Sequence, residues 1–330
     1  MAGDQPRKLL AFEEAPGKPM YNRWFNVAVV LLWLATMTWL VTQKVLPGML
    51  LGRPPSYRTI LRASANGPPV GWTMSWNGRP IGWALSTTAQ RPDGVSEIDS
   101  QVHFDELPLE EMAPRWTHTF LKLLDNKRLH LAMDTKSNLI IDPLGRLSKL
   151  ESSVRFARMT DVIKVQGVVK GAELMLSVRS GDFSYTTVVP VRSNTLLGDS
   201  LSPQTKLPGL RVGQTWEVRT FNPLRPPNNP LEILQATVDE IRPITWRNRR
   251  VDAFVVEQRS TPGSGLSSAR SRHGRLWVAR DGTVLKQEIA IFNSTMLFVR
   301  MADDQAAVLA EEVEREQQKV FHRSDPKNGI

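Results

Sequence analysis

The sequence contains no cysteine and only five histidines in 330 residues. The first absence excludes a disulfide framework, a thiolate metal site and a cysteine nucleophile. None of the histidines stands in an H-E-x-x-H motif or another close metal-ligand spacing. The serine-hydrolase elbow, the Walker A motif and the dinucleotide fingerprint are also missing. We therefore expect a protein that is not an enzyme and that uses neither a metal nor another cofactor.

One histidine does lie beside carboxylates. His103 is followed closely by Asp105 and Glu106, and no other histidine has such neighbours. Polar residues at the end of a strand are the favoured interpretation of this group. A metal or catalytic site is the alternative.

Acidic residues are fewer than basic ones, 33 against 42, so the formal net charge is +9. The excess is greatest between residues 242 and 280, and its densest cluster is Arg242, Arg247, Arg249 and Arg250. One interpretation is a solvated β-turn whose arginine stems pack over Trp246. The other is contact with an anionic membrane surface. We expect no nucleic-acid partner, because no recognition motif accompanies the basic residues.

An uncharged apolar stretch runs from Trp24 to Val41. About 20 such residues span the hydrocarbon core of a bilayer. Apolar residues occur on every helix face, which disfavours a buried core helix. No small-x-small cleavage site follows, which disfavours a cleaved signal peptide. We predict an uncleaved signal-anchor helix at residues 24–43, in which threonine hydroxyls donate back to the helix.

Orientation does not follow from charge, because four basic residues flank each end of this helix. Long domains are translocated largely regardless of charge. We therefore expect residues 1–23 to form a cytoplasmic tail and the large domain to be extracytoplasmic. The predicted location is the cytoplasmic (inner) membrane, crossed once.

A linker rich in proline and glycine is predicted at residues 44–56, and a β-strand pattern from about Tyr57. Asn77-Gly78 and Asp281-Gly282 between alternating runs are strong hairpin signals. Roughly a dozen strands at short intervals favour an antiparallel meander, and no βαβ alternation occurs. We prefer one continuous sheet over residues 57–301, with two subdomains as the alternative.

Three stretches complicate the strand pattern. Residues 129–141 are predicted as two strands, Leu129–Met133 and Leu139–Ile141, separated by a polar run. Residues 196–212 are predicted to be a long connection. A helix is predicted within residues 106–124, where Pro114 suits a first turn.

The C-terminal region has a helical pattern. Asp303 can cap a helix in the predicted segment 302–322, and Glu311 and Arg315 form a favourable i,i+4 pair. A narrow apolar stripe runs along it, made of Ala306, Leu309, Ala310, Val313, Gln317 and Val320. We expect a surface helix packed on the sheet, with a partner-binding helix as the alternative. Residues 323–330 form a predicted tail.

Three phrases of the sequence carry a resemblance: GRPIG at Gly78–Gly82, LRVGQTW at Leu210–Trp216, and WVARDGTVLK at Trp277–Lys286. In this order they resemble uncharacterised bacterial envelope proteins, whose shape is similar to the lipoprotein-carrier superfamily of LolA and LolB. The resemblance covers residues 57–301. It implies a long curved sheet whose concavity binds acyl chains. The chain lacks a lipobox cysteine, so a helix takes the place of the lipid anchor.

The predicted fold is mainly β: a long curved antiparallel sheet, or open half-barrel, with an N-terminal transmembrane helix and a C-terminal surface helix. We expect it to bind a lipid-like or hydrophobic ligand in the concave sheet. The candidate lining residues are Trp72, Met74, Trp76, Trp216 and Trp277, for which close-packed core is the alternative fate. The other candidate function is a structural or assembly subunit of an envelope membrane complex. The membrane is the expected partner, together with lipid or another envelope protein, and the oligomeric state stays open.

Overall fold

The structure is a computed structural model. It describes residues 23–45, 55–108, 130–156, 162–190, 196–199, 201–221, 231–260, 272–291 and 294–323. The chain divides into two compact units, and the boundary lies between residues 50 and 51. Each unit is described by itself.

The first unit contains one apolar helix. Helix α1 spans Arg23–Leu40 and continues into a π-helical turn at Val41–Val45. The segment Trp24–Gln43 is long and apolar enough to cross a membrane, and none of it is buried. The Thr42 hydroxyl donates to the carbonyl oxygen of Thr38 at 2.8 Å, which confirms the predicted bonding back to the helix. Such a helix is compatible with a signal anchor or a single membrane span.

In the described residues, the second unit contains two helices and a sheet of fifteen strands. Helix α2 spans Tyr57–Ser64 and helix α3 spans Asp303–Arg323. The strands are β1 Val70–Trp76, β2 Arg79–Gln90, β3 Ser96–Pro108, β4 His130–Ile141, β5 Leu147–Phe156, β6 Val162–Lys170, β7 Glu173–Ser180, β8 Phe183–Pro190, β9 Leu196–Asp199, β10 Thr215–Phe221, β11 Leu231–Trp246, β12 Arg249–Ser260, β13 Arg272–Ala279, β14 Val284–Ile291 and β15 Ser294–Arg300.

All these strands belong to one sheet. From one edge the order runs from β8 back to β1, continues with β15 beside β1, and then runs back to β9 at the other edge. Every neighbouring pair is antiparallel except β9 and β10, which are parallel. The prediction of one continuous, mainly antiparallel sheet is therefore confirmed.

The sheet is strongly curved. A flat sheet of 15 strands would place its two edge strands roughly 65 Å apart, at about 4.8 Å per strand. The edge strands β8 and β9 are instead consecutive in the chain, and the step from Pro190 to Leu196 spans at most about 22 Å. The Arg219 side chain also donates to the carbonyl oxygen of Pro190. The open curved sheet predicted from the sequence is confirmed.

Both predicted hairpin turns are present. Asn77 and Gly78 connect β1 to β2 with φ values of 47° and 84°, as a tight turn of two left-handed residues requires. Asp281 and Gly282 connect β13 to β14. A third such turn, Arg247-Asn248, connects β11 to β12 with φ values of 50° and 60°.

The strand predicted to begin at Tyr57 is wrong, because a helix forms there. Ser56 caps α2: its hydroxyl accepts from the backbone N–H of Thr59, and the Thr59 hydroxyl accepts from the backbone N–H of Ser56. Tyr57 and Leu61, one turn apart, are both buried. The Tyr57 hydroxyl donates to the carbonyl oxygen of Leu197, so this helix is fastened to β9.

Two further predictions need correction. The two strands predicted in residues 129–141 are one strand, β4, because its polar middle is paired on both sides. Asn138 there donates to Asp99 at 2.7 Å. The predicted connection at 196–212 begins with strand β9. Of the helix predicted within residues 106–124, the first three residues belong to β3, and 109–124 lie outside the described residues.

The hydrophobic core lies on one face of the sheet. We call this the inner face and define it by Trp72, Met74 and Trp76. Trp72, Trp76, Phe104 and Phe298 are among the largest fully buried side chains. Alternation along each strand sends every second side chain to this face.

Helix α3 confirms the predicted C-terminal helix. It packs beside β1 at Gly71, where a Cβ atom would lie 3.2 Å from the Cα of Ala306. Ala306 and Val313 are buried, and the Glu311–Arg315 pair is present at 3.8 Å. The predicted stripe is therefore the packing face of a surface helix, up to the last side chain that the structure describes.

Candidate functional site

The predicted ligand-lining residues are mostly core residues. Trp72, Met74 and Trp76 are 0%, 2% and 2% exposed, and Trp216 is also buried. Trp216 lies on the inner face as well. A row of directly paired residues runs across the strands from Trp76 to Trp216, and residues paired in this way share one face. Around these four side chains the inner face is filled by close packing, so they line no open trough in the described residues.

Trp277 does not belong with the other four. Trp277 pairs with Lys286, Lys286 pairs with Val299, and Val299 pairs with Thr73. Residues paired in this way share one face of the sheet. Thr73 follows Trp72 directly, so this is the face opposite the inner one, which we call the outer face. The guanidinium of Arg275 lies 5.6 Å from the centre of its indole ring. The sequence placed Trp277 in a strand but did not reveal its face.

The arginine cluster lies along the β11–β12 hairpin. Arg242, Arg247, Arg249 and Arg250 are all exposed. The guanidinium of Arg247 lies 5.0 Å from the centre of the Trp246 ring, as the first interpretation of the cluster expects. The contact with an anionic membrane surface stays a prediction.

The histidine near carboxylates forms an ion pair on the outer face. His103 Nδ1 lies 2.7 Å from Asp134 Oδ1, and Nε2 lies 3.3 Å from Asp105 Oδ1. The hydrogen bond to Asp134 raises the pKa of His103, and the same bond lowers the pKa of Asp134. The imidazole also stacks on Trp83 at 5.5 Å. No group of three or more acidic or histidine side chains in the described ranges has the arrangement of a metal site.

A cavity of about 460 Å³ lies at the end of the sheet where β1 begins and β15 ends. We call it the end cavity. It is bounded by the C-terminal end of α2, the loop at residues 205–206, the β11–β12 hairpin and the start of α3. Ser64, Lys206, Trp246, Arg247 and Arg300 contribute polar groups to its wall. Apolar parts of the wall come from Val70, Val251 and Leu285.

The loop that carries Lys206 is held in place by the β13–β14 turn. The backbone N–H of Leu207 donates to the Gly282 carbonyl oxygen at 2.7 Å. Gly282 has a φ of 84°, and a Cβ atom there would lie 2.7 Å from the Cα of Pro208. Only glycine combines a favourable positive φ with the absence of a Cβ atom that would clash with Pro208. Lys206 is therefore placed by contacts far from it in sequence.

Two cations of the end cavity, Arg300 and Lys206, are buried more deeply than its carboxylates. The Arg300 side chain is 10% exposed, and its Nη2 lies 3.7 Å from the Oδ1 of Asp303, which is 67% exposed. Lys206 is 25% exposed and lies 3.8 Å from the Oδ2 of Asp281, which is 65% exposed. Burial lowers the pKa of Arg300, and the carboxylate of Asp303 opposes this. Arg300 nonetheless keeps its charge at neutral pH.

Three buried polar atoms of this wall lack a hydrogen-bond partner among the described residues. They are Ser64 Oγ, Trp246 Nε1 and Arg300 Nη1, and all three can donate a hydrogen. An unsatisfied buried donor costs about 1–3 kcal/mol. Such a cost is often associated with a functional site. Each atom has almost no solvent-accessible surface, although its residue lines the end cavity.

Sequence reasoning missed the end cavity because its residues come from six separate segments of the chain. The only signal was the arginine cluster beside Trp246, which includes one wall residue, Arg247. Arg242, Arg249 and Arg250 do not line the cavity. Nothing in the local sequence distinguishes Ser64 or Arg300 from an ordinary surface residue.

The fold and the end cavity define a mainly β protein with an open, curved sheet. No family model and no curated protein matches the chain. One similar solved structure is a β-barrel-like protein of the domain of unknown function DUF1849 from Brucella abortus, with 7% identity and a TM-score of 0.43. That match covers 71% of this chain and 95% of the other.

A second similar structure is a DUF1089 family protein from Pseudomonas aeruginosa, with 15% identity and a TM-score of 0.31. The match covers 61% of this chain and 87% of the Pseudomonas aeruginosa chain. Neither protein is described as a lipoprotein carrier. The resemblance to LolA and LolB therefore stays a prediction.

Proposed function

We propose that the protein is a non-enzymatic envelope protein, tethered to the cytoplasmic membrane by α1, whose β domain binds a lipid-like ligand in the end cavity. The observation that carries this proposal is the cavity itself. Its volume of about 460 Å³ falls within the usual range for small-molecule sites. Its wall combines apolar side chains with convergent polar groups, as an amphiphile requires.

Because the inner face is closely packed, the ligand is not expected to contact the lining residues that the sequence predicted. Trp72, Met74 and Trp76 have no exposed surface to offer an acyl chain. Part of the cavity wall lies on the same face, since Arg300 pairs with Trp72 and Val70 pairs with Ser86. An acyl chain that lies along Val70, Val251 and Leu285 contributes about 0.8 kcal/mol for each CH₂ removed from water.

The tether supports a ligand drawn from the membrane. The twenty residues of Trp24–Gln43 expose their apolar side chains all round, which suits lipid contact. We place the short N-terminal segment in the cytoplasm and the β domain outside. Labelling of a single introduced cysteine tests this arrangement, and the chain itself gives no background labelling because it contains no cysteine. A Val188→Cys protein that reacts only after the cells are permeabilised would contradict the orientation.

The ligand test uses the full chain in a mild detergent. Native mass spectrometry is expected to find co-purifying lipid, and a brominated short-chain lipid is expected to quench tryptophan emission. Ala63→Phe, which adds bulk to the cavity wall, should weaken both signals. Val188→Phe, on an exposed position of β8, is the matched control and should leave both unchanged. Equal lipid retention by the two variants would contradict binding in the end cavity.

A second candidate is a structural or assembly subunit of an envelope membrane complex. It is favoured by Val168, Met175 and Val188, which are paired directly across β6, β7 and β8. They are 39%, 44% and 52% exposed and form an apolar strip beside the edge strand. Photo-cross-linking from position 175 in intact cells should then yield a discrete product with a membrane protein. Its absence would leave the ligand-binding proposal as the better one.

A further inference from the structure

We infer that the end cavity recognises a phosphate group, held by Arg300 and Lys206 and by the donors of Trp246 and Ser64. The inference rests on the proposed function, because it names the chemical class of the ligand of the same cavity. A phosphorylated lipid headgroup and a free phosphate share this chemistry.

Arg300 is the central residue of this site. Its side chain is nine-tenths buried, yet its only ion-pair partner in the described residues, Asp303, lies 3.7 Å from Nη2. That separation is too long for a charge-assisted hydrogen bond, and Nη1 has no partner among the same residues. The planar guanidinium presents several N–H groups that match phosphate oxygens in pairs. Arg300 lines the end cavity, so among the charged groups of the wall its guanidinium has the greatest unmet capacity to donate hydrogen bonds to an oxyanion.

The other unpaired groups in the wall are of the same kind. Trp246 Nε1 is a donor only, and Ser64 Oγ can donate. They belong to the β11–β12 hairpin and to the end of α2, so they approach the cavity from different sides. A ligand rich in acceptors satisfies all of them, whereas a donor ligand satisfies neither Trp246 nor Arg300.

The charge balance also favours an anion. Three cationic side chains line the end cavity, Lys206, Arg247 and Arg300, against the two carboxylates of Asp281 and Asp303. Asp281 is already engaged by the Thr283 hydroxyl at 2.7 Å and the Thr283 backbone N–H at 3.0 Å. Both carboxylates point largely to solvent. Arg247 is exposed, so the two most buried charged groups of the wall are both cations, Arg300 and Lys206.

Phosphate fits this donor set better than carboxylate does. A carboxylate offers two oxygens in one plane. A phosphate group offers up to three terminal acceptor oxygens in a tetrahedral arrangement. Donors that converge from the sheet end, the hairpin and α2 suit the tetrahedral group.

The test measures binding to the full chain in a non-ionic detergent at constant ionic strength. The compounds are inorganic phosphate, dihexanoyl phosphatidic acid, uncharged dihexanoylglycerol and hexanoate. Isothermal titration calorimetry is expected to detect the two phosphate compounds, with the lipid the tighter. Arg300→Gln should weaken both by about tenfold or more, and Trp246→Phe by about threefold to tenfold.

The matched control is Arg179→Gln, which removes the same charge from an exposed arginine of β7, outside both the cavity wall and the arginine cluster. It should change binding less than about twofold, because exposed charges contribute little. Since Arg300→Gln could disturb the fold, each variant is first melted without ligand. Lys206→Gln, at a less buried position, gives an independent reading and should also weaken phosphate binding.

The outcomes distinguish the phosphate site from the proposed lipid-binding function. Equal binding of dihexanoylglycerol and phosphatidic acid overturns the phosphate site but leaves the lipid-binding function standing. Binding of inorganic phosphate without any lipid supports the phosphate site and overturns the lipid-like ligand. Tighter binding of hexanoate than of phosphate, or an equal loss in Arg179→Gln and Arg300→Gln, overturns the phosphate site. No binding of any compound overturns both.

Discussion

Replacing Trp72 by alanine is expected to destabilise the β domain strongly, because this indole is fully buried on the inner face. Truncation of a buried tryptophan leaves a cavity and costs about 3–5 kcal/mol. For a domain of this size each kcal/mol lowers the melting temperature by about 2–4 °C. The expected loss is therefore roughly 6–20 °C in the full chain.

Trp72→Phe separates packing from hydrogen bonding. Trp72 Nε1 is buried and lacks a partner among the described residues. Phenylalanine removes this unsatisfied donor, which returns about 1–3 kcal/mol, while the smaller ring loses part of the packing. The two effects offset each other, and we expect a net change within about 1.5 kcal/mol.

The control is Trp83→Ala on the neighbouring strand. Trp83 pairs with Thr73, lies on the outer face and is half-buried. Its truncation should cost about 1–2 kcal/mol, since less apolar surface returns to water. Urea unfolding of the full-length variants, followed by circular dichroism, gives the comparison. If Trp72→Ala costs no more than Trp83→Ala, the inner face is not a close-packed core and a ligand trough at Trp72 becomes tenable again.

Three other perturbations test particular contacts. Because His103 has a raised pKa and Asp134 a lowered one, their pair should stabilise fully between about pH 4 and 6.5 and fade as pH rises through the raised value. Asp134→Asn should thus cost about 0.5 kcal/mol at pH 5.5 and less at pH 9, where the imidazole is neutral; an equal cost at both would contradict the pair. Gly282→Ala should cost about 1–3 kcal/mol more than Gly171→Ala, because both have positive φ but only Gly282 has backbone against its Cβ position; equal unfolding midpoints would refute this. Gly71→Ala should loosen α3 and speed its proteolytic removal, and unchanged cleavage would show that the helix accommodates the methyl group.

The predictions that succeeded depend on local chemistry. Asn77-Gly78 forms its turn because both residues tolerate the left-handed backbone that a tight hairpin needs. Helix α3 follows from an apolar stripe at helical spacing. The helix at Tyr57–Ser64 was missed although Ser56 and Thr59 have the spacing of a reciprocal cap.

The errors arose where partners distant in sequence decide the structure. The polar run inside β4 looks like a turn, yet its side chains bond across to β3, so the strand continues. Strand β9 has only four residues and exists through parallel pairing with β10. Period-two alternation shows that Trp277 is in a strand, but only the register with β14 and β15 places it on the outer face.

The sequence by itself determined the apolar helix, the meander of hairpins and the C-terminal helix, because hydropathy period and turn residues act over a few neighbours. Only the tertiary structure decided which side chains meet. The tertiary fold brings Ser64, Lys206, Trp246 and Arg300 to one cavity from four separate segments. Their convergence depends on strand register and on the closing of long loops, and local sequence patterns encode neither.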